Sequence, residues 1–369
     1  VFGIVLIPML TSNAAAESAR LATFAGDSGD ACFALSVVAD LEANPSAVRH
    51  LAVLVDTSAS QAGTHREETL AAVISLLNGL ASQDRVQLFA ADLNIVPLHE
   101  SAAPAKSSEI EAALAKLRAR APLGATDICE VFAAAAKTLE SAPQNARRIV
   151  YIGDGISQAR LLESDDFQPV VDILAAKRIS VTSIALGPRK NVALLAALAN
   201  HTGGNVLVAT SDISGQQLGH QAAKATRAAV AWPTNVNAPA DWAENFPNRF
   251  PPLRGDRDSI VIGSLKASGS PSANPPRILS VQFDVDGSDL AQQWTLAAEP
   301  SNEDFSYLPR LLELARKDNG VFLPTAGSTA LREVRRVLQD GASELTSLAG
   351  SALQSGDLSG AETLAGAAL

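Results

Sequence analysis

The strongest constraint on this chain is a rhythm in which short apolar, β-branched runs alternate with amphipathic stretches. His50 to Val55 (HLAVLV) is continuous and apolar and ends at Asp56, the composition of a strand buried on both faces. Glu67 to Leu80 places Leu70, Val73, Ile74, Leu77 and Leu80 on one helical face. Strands are predicted at Arg85 to Ala90 and Ile95 to Leu98, around a turn at Asp92 and Asn94. A helix over Ser108 to Arg120 follows, with Ser107 or Ser108 as its cap, and stops before Pro122.

The second half repeats the pattern. Helices are predicted at Ile128 to Glu140, Phe167 to Arg178 and Val192 to Asn200, the last stopped by Gly203-Gly204. Strands are predicted at Arg148 to Ile152, Ser180 to Leu186 and Val206 to Ala209, with a polar helix from Gln216 to Ala229. This order predicts an α/β fold: a Rossmann-like, doubly wound, mostly parallel sheet covered on both faces. Such sheets bind ligands at strand C-terminal ends, where strand order reverses. Asp56 and Asp154 both fall at such ends.

The flanks differ in character. Residues 1–31 read as a signal-peptide remnant and lead-in. Val1 to Leu10 (VFGIVLIPML) is too short to span a bilayer, and small residues ending in Ala14-Ala15-Ala16 follow it, the order of an h-region and a cleavage zone. The expected location is therefore secreted or periplasmic. A buried edge strand is the alternative, against which Pro8 stands. Residues 32–46 carry a lead-in strand at Cys32 to Asp40, and residues 47–228 the α/β unit. Residues 229–300 read as a small β-rich module, with a Pro- and Asn-rich entry (Pro233 to Pro252) and apolar runs at Ser259 to Leu265 and Ile278 to Val285 around a turn at Ser268 to Pro276. Residues 301–369 read as a C-terminal helical region with amphipathic stretches at Leu308 to Arg316 and Ala330 to Leu338. In Leu348 to Leu369, the spacing of Leu353, Gly356, Asp357, Ala361 and Ala365 resembles the turn of a tetratricopeptide repeat, although an ordinary helical hairpin is the simpler reading.

Charge and cysteine content narrow the function classes. The 29 basic and 39 acidic residues leave a formal charge of −10 with no basic block, which argues against nucleic acid or an anionic membrane surface as partner. No segment after the first has the length and apolarity of a membrane span. Cys32 and Cys129 cannot make a disulfide framework or a zinc site, and whether they form a single bridge is left open.

Three loops gather the chemistry. Residues 56–60 read Asp-Thr-Ser-Ala-Ser, and an extended loop would aim Asp56, Ser58 and Ser60 to one side. Pro122 to Asp127 (PLGATD) exposes Thr126 before a helix, and Ile152 to Gly155 (IGDG) places Asp154 at a strand end. These are hard oxygen donors without His or thiolate, suited to Mg²⁺, Mn²⁺ or Ca²⁺ rather than Zn²⁺. A plainer reading is open beside it: Asp56 and Ser58 cap the segment that follows, and Thr126 or Asp127 caps the helix at Ile128. For Asp127, capping is the favoured role.

In this order, the three loops resemble the metal-ion-dependent adhesion site of the von Willebrand factor type A (VWA) family: Asp-x-Ser-x-Ser at Asp56, Ser58 and Ser60, a later Thr at Thr126, and an Asp before Gly at Asp154. The resemblance covers residues 47–228. It implies that the Ser hydroxyls ligate the ion directly and that the Asp carboxylates and Thr126 ligate directly or through water. The ion would then take a Glu or Asp carboxylate from a protein partner. The expected function is metal-dependent protein binding, as an adhesion or scaffold protein, rather than catalysis, since no base or nucleophile stands beside the cluster in sequence. An intracellular subunit serving an ATPase- or chelatase-type assembly machine is the alternative. Pro251 to Leu265 is loosely similar to the segment after the A domain in inter-alpha-trypsin-inhibitor-type proteins.

Two short motifs are set aside. Gly26-Asp27-Ser28-Gly29 resembles a protease nucleophile motif but has Asp30 next and no His/Asp partners before it. Arg254-Gly255-Asp256, the integrin-binding tripeptide, is read as a charged turn.

Overall fold

The computed structural model describes residues 18–25, 31–160, 162–266 and 277–327. The expected signal remnant, the Gly26 to Gly29 motif, the Ser268 to Pro276 turn, and the Ala330 to Leu338 and Leu348 to Leu369 stretches lie outside them.

The chain opens on β1 (Ala19–Ala25) and β2 (Ala31–Val37), an antiparallel pair. The α/β unit then runs β3 (His50–Asp56), α1 (Thr64–Gly79), β4 (Arg85–Ala91), β5 (Ile95–Pro97), β6 (Ala103–Pro104), α2 (Ser108–Ala119), α3 (Ile128–Thr138), β7 (Arg147–Gly153), α4 (Ser164–Ala176), β8 (Ser180–Ala185), α5 (Val192–Thr202), β9 (Asn205–Val208) and α6 (Gly215–Arg227). The sheet order is β5-β4-β3-β7-β8-β9, with β6 also on β4. β4, β3, β7, β8 and β9 are mutually parallel, while β5 and β6 run antiparallel to β4.

Two-sided burial explains the apolar composition of β3. Leu51, Val53 and Val55 enter the core under α1, α2 and α6, while Ala52 and Leu54 enter the core under α3, α4 and α5. On α1 the buried stripe is Thr69, Ala72, Val73, Leu76 and Leu77. It is rotated from the expected face, and Leu70 and Ile74 are only half buried. The chain leaves β3 for β4 on one side and later returns to β7 on the other. Strand order therefore reverses at β3, between the ends carrying Asp56 and Asp154.

The remainder is a β-sandwich assembled from both sides of the α/β unit. After α6 come β10 (Val230–Asn237), β11 (Trp242–Phe246), β12 (Leu253–Arg254), β13 (Ser259–Leu265), β14 (Arg277–Val285) and β15 (Ser288–Leu296), then α7 (Leu308–Asp318). One sheet is β1-β2-β13-β11 and the other β12-β10-β14-β15. The strand expected as a lead-in is thus an inner strand of the sandwich, paired with β13 over its full length. Leu21, Phe33, Leu35 and Val37 face Leu279, Val281, Phe283 and Trp294 between the sheets. On the outer face of the first sheet, Ala34, Ile260 and Ile262 pack against Leu308, Leu311 and Leu312 of α7.

Two devices among several join the sandwich to the α/β unit. The segment after α7 covers α5: Val321 joins the α/β core, Phe322 stacks on Phe167 at 5.1 Å, and Asn200 Nδ2 donates to Thr325 Oγ1 at 2.8 Å. This cover is why α5, apolar nearly all round, is buried nearly all round. The second device is Arg254, 1% exposed. Its guanidinium donates to the Gly203 carbonyl at 3.0 Å and the Ala225 carbonyl at 2.9 Å, and pairs in two-pronged fashion with Asp256 at 2.6 and 2.7 Å. It therefore satisfies carbonyls at the C-terminal ends of α5 and α6 together. The tripeptide read as a charged turn has its arginine sealed inside this junction. Cys32 and Cys129 are both buried and not bridged. Among the described residues, no helix is long and apolar enough to cross a membrane.

Candidate metal centre

Asp56 is the last residue of β3 and is fully buried. Its Oδ1 accepts the Ser58 backbone N–H at 2.8 Å and the Thr126 hydroxyl at 3.1 Å, and its Oδ2 accepts the Tyr151 hydroxyl at 3.0 Å. Ser58 Oγ lies 3.0 Å from Ser60 Oγ, and Ser60 Oγ donates to Asp154 Oδ2 at 2.6 Å. Asp154 Oδ1 accepts the Ile156 N–H at 2.9 Å. All five residues expected from sequence thus meet in one hydrogen-bonded group at the C-terminal pole of the sheet.

The backbone route to this meeting differs from the expected extended loop. Ser58 is extended, but Ala59–Gln61 forms a single 3₁₀ turn, and this turn delivers Ser60. The capping alternative also separates by residue. Asp127 caps α3, its side chain accepting the Glu130 N–H at 3.1 Å. Ser58 sits at the start of the 3₁₀ turn without a side-chain cap bond, and the Thr126 hydroxyl is directed to Asp56. Their hydroxyls therefore belong to the cluster rather than to helix ends.

Sequence reasoning missed Tyr151. It is buried in β7, where its hydroxyl accepts the Gly155 N–H at 3.3 Å while donating to Asp56. Gly153 makes room for this contact, because a Cβ there would lie 2.4 Å from Asp56 Cβ and 2.5 Å from the Tyr151 hydroxyl. The available signal was a tyrosine, one of two in the chain, in an otherwise aliphatic strand two residues before Gly153. Arg120 was missed as well. It donates to Thr57 Oγ1 at 3.2 Å and pairs with Asp92 at 2.7 Å, bracing the first and second loops.

Burial raises the pKa of Asp56, and the Asp154 charge adds to the rise. Hydrogen bonds from Ser58 and Tyr151 oppose it, and no basic group contributes. Burial, followed by the Asp56 and Asp154 charges, likewise raises the Tyr151 phenol well above its ordinary value, so it stays a donor. Two carboxylates and three hydroxyls converge with no cationic side chain between them. That donor set fits a hard divalent cation. Among the described residues, no cluster of three or more His, Cys, Asp or Glu side chains is placed to hold a metal.

Residues 49–208 match the family described as von Willebrand factor type A domain. No curated protein matches the sequence. Among solved structures, the chain is similar to a von Willebrand factor type A protein from Catenulispora acidiphila, at 12% identity and a TM-score of 0.52, over 91% of this chain and 84% of that one. It is also similar to the ArnB paralog VWA2 from Sulfolobus acidocaldarius, at 15% identity and a TM-score of 0.49, over 94% and 92% of the two chains. The first likeness is one of fold, and its coverage takes in the sandwich as well as the α/β unit. Residues 49–208 of this chain, a parallel sheet with helices on both faces, match the von Willebrand factor type A domain family and have a VWA-like fold.

Proposed function

We propose that the protein binds a partner protein through a divalent cation, Mg²⁺ or Mn²⁺ in the first instance, held by Asp56, Ser58, Ser60, Thr126 and Asp154. VWA domains often bind a divalent metal and generally bind proteins. The observation that carries the reading is the convergence of two carboxylates and three hydroxyls without a basic partner, together with the unfavourable burial of Asp56. A +2 ion offsets both carboxylates and retains the Lewis acidity to accept one more anionic oxygen, a Glu or Asp carboxylate of the partner. Tyr151 orients Asp56 from behind, as hydrogen-bonding partners of metal-ligating carboxylates do. In this reading the site holds rather than transforms, and Arg120, Asp92 and Asp127 beside it are engaged in ion pairs or a helix cap. A secreted or periplasmic location belongs to the same reading and rests on the Val1 to Leu10 run and the small residues after it.

The test is capture of partner from the native source on immobilised wild-type protein and on Asp154→Ala, each with Mg²⁺ and with EDTA. The reading expects capture only by wild type with Mg²⁺. Capture that survives both EDTA and Asp154→Ala contradicts it.

A further inference from the structure

The pole that carries the candidate metal centre is chemically lopsided. Of the large apolar side chains exposed among the described residues, the two most exposed are Leu123 at 77% and Leu93 at 53%, and both are at this pole. Leu93 follows the end of β4, whose Ala91 pairs with Asp56. Leu123 is on the loop that delivers Thr126. Both loops are fixed by hydrogen bonds. Leu123 N–H donates to the Thr57 carbonyl at 2.8 Å, Ala59 N–H to the Gly124 carbonyl at 3.1 Å, and Asp127 N–H to the Asp92 carbonyl at 3.1 Å. Arg120 ties Thr57 to Asp92 between them. An exposed leucine on a braced loop gives up contact with water at little entropic cost when covered. Single exposed apolar residues are ordinary on a surface. Two on adjoining braced loops beside a site of strong polarity are a recognition feature.

The opposite side of the site is basic. The loop after β8 reads Gly187-Pro188-Arg189-Lys190-Asn191, with two cations and no acid, in a chain of formal charge −10. This loop is braced against Asp154: Asn191 N–H donates to the Asp154 carbonyl at 2.8 Å, and the Cα of Gly187 lies so near that a Cβ would stand 2.8 Å from Asp154 Cβ. Arg189 is exposed and Lys190 half exposed, and neither is in an ion pair among the described residues. Lys190 also borders a cavity of about 530 Å³ between the β8–α5 loop and the starts of α1 and α6, whose far wall carries Glu68 and Asp212, so the basic character belongs to the loop itself.

Resting on the metal-binding reading above, we propose that the partner segment is acidic and aliphatic. Its metal-bound carboxylate is flanked on one side by an aliphatic residue covering Leu123 and Leu93, and on the other by a second acidic residue facing Arg189 and Lys190. The apolar contact adds affinity through buried area, while the basic loop selects an acidic neighbour and speeds encounter.

The probe is a phage-displayed library of random linear dodecapeptides, panned on the purified chain in Mg²⁺ and eluted with EDTA. Wild type is expected to enrich peptides that combine a Glu or Asp with a nearby Leu, Ile or Val and a second acid. For the best peptide, Leu123→Ser is expected to weaken binding about tenfold and to erase the aliphatic preference on re-panning while keeping the carboxylate. Arg189→Glu with Lys190→Glu is expected to erase the second acid. These positions are at the surface, so the folded state is common to all variants. Enrichment of single-carboxylate peptides with no aliphatic or second acidic preference, or affinities unchanged in both variants, overturns this inference and leaves the metal site standing. Failure to enrich any carboxylate-bearing, EDTA-elutable peptide overturns the metal-binding reading itself, and this inference with it.

Discussion

The Tyr151 hydroxyl donates to Asp56 Oδ2 at 3.0 Å across the gap left by Gly153. One strand thereby fixes the rotamer of a carboxylate that belongs to its neighbour. The other oxygen of Asp56 is held by Ser58 and Thr126, so the carboxylate is oriented from both ends. Pre-orientation of this kind lowers the entropic cost of binding.

Removing that hydroxyl with Tyr151→Phe leaves the ring in place and strips one donor from a buried carboxylate. Loss of a partner of this type typically costs 10–100-fold in metal affinity, and about tenfold is expected here. Stability without metal is expected to fall by about 1–2 kcal/mol. Calorimetric titration with Mg²⁺ and urea melts of both proteins check the two numbers. Unchanged Mg²⁺ affinity would remove Tyr151 from the account of the site.

Arg254 is expected to be structural. Arg254→Ala takes the guanidinium donor from the Gly203 carbonyl, leaves the Ala225 carbonyl only the Ala228 N–H, and removes the two-pronged partner of Asp256, at a cost of about 2–4 kcal/mol. Arg254→Lys is expected to recover little of this, because a single ammonium cannot reach two helix ends and both carboxylate oxygens at once. A denaturation midpoint indistinguishable from wild type in Arg254→Ala would show that the junction is held by other means.

His201 gives the chain a specific acid sensitivity. Burial holds its pKa at about 4, below the ordinary 6.5, while its Nε2–H donates to the Val321 carbonyl at 3.0 Å. The unfolded chain therefore binds the extra proton between pH 6.5 and 4. The stability contribution is complete above pH 6.5 and is lost as pH falls toward 4, a difference on the order of 3 kcal/mol. His201→Gln, which can keep the donor, is expected to lose that part of the pH dependence. Parallel stability curves for the two proteins from pH 7 to pH 4 would contradict this assignment.

The α/β domain was legible in sequence because each of its parallel strands carries its own signal. β3 and β7 are apolar on both faces, and helices of recognisable period separate them. The proximity of the five candidate residues was legible for a related reason: loops leaving adjacent parallel strands meet at one pole, so order along the chain implies proximity. The sandwich was not legible to that degree. β15 buries only Trp294 and Leu296 and otherwise reads as polar loop. The pairing of β2 with β13 joins segments from opposite sides of the inserted domain, and nothing local in either strand records it. Tyr151 lay hidden for a third reason. Its hydroxyl reaches Asp56 only through the register of β3 on β7 and the missing side chain at Gly153, and both are tertiary facts.

Asp56, Ser58, Ser60, Thr126 and Asp154 are proposed to form a divalent-cation site. The most direct measurement is calorimetric titration of Mg²⁺ into metal-free wild type, Asp56→Ala and Asp154→Ala, with circular dichroism confirming that all three are folded. A single saturable Mg²⁺ site is expected in wild type, with loss of that site in both variants. Equal Mg²⁺ affinity in wild type and Asp56→Ala, or no binding in wild type, would contradict the proposal.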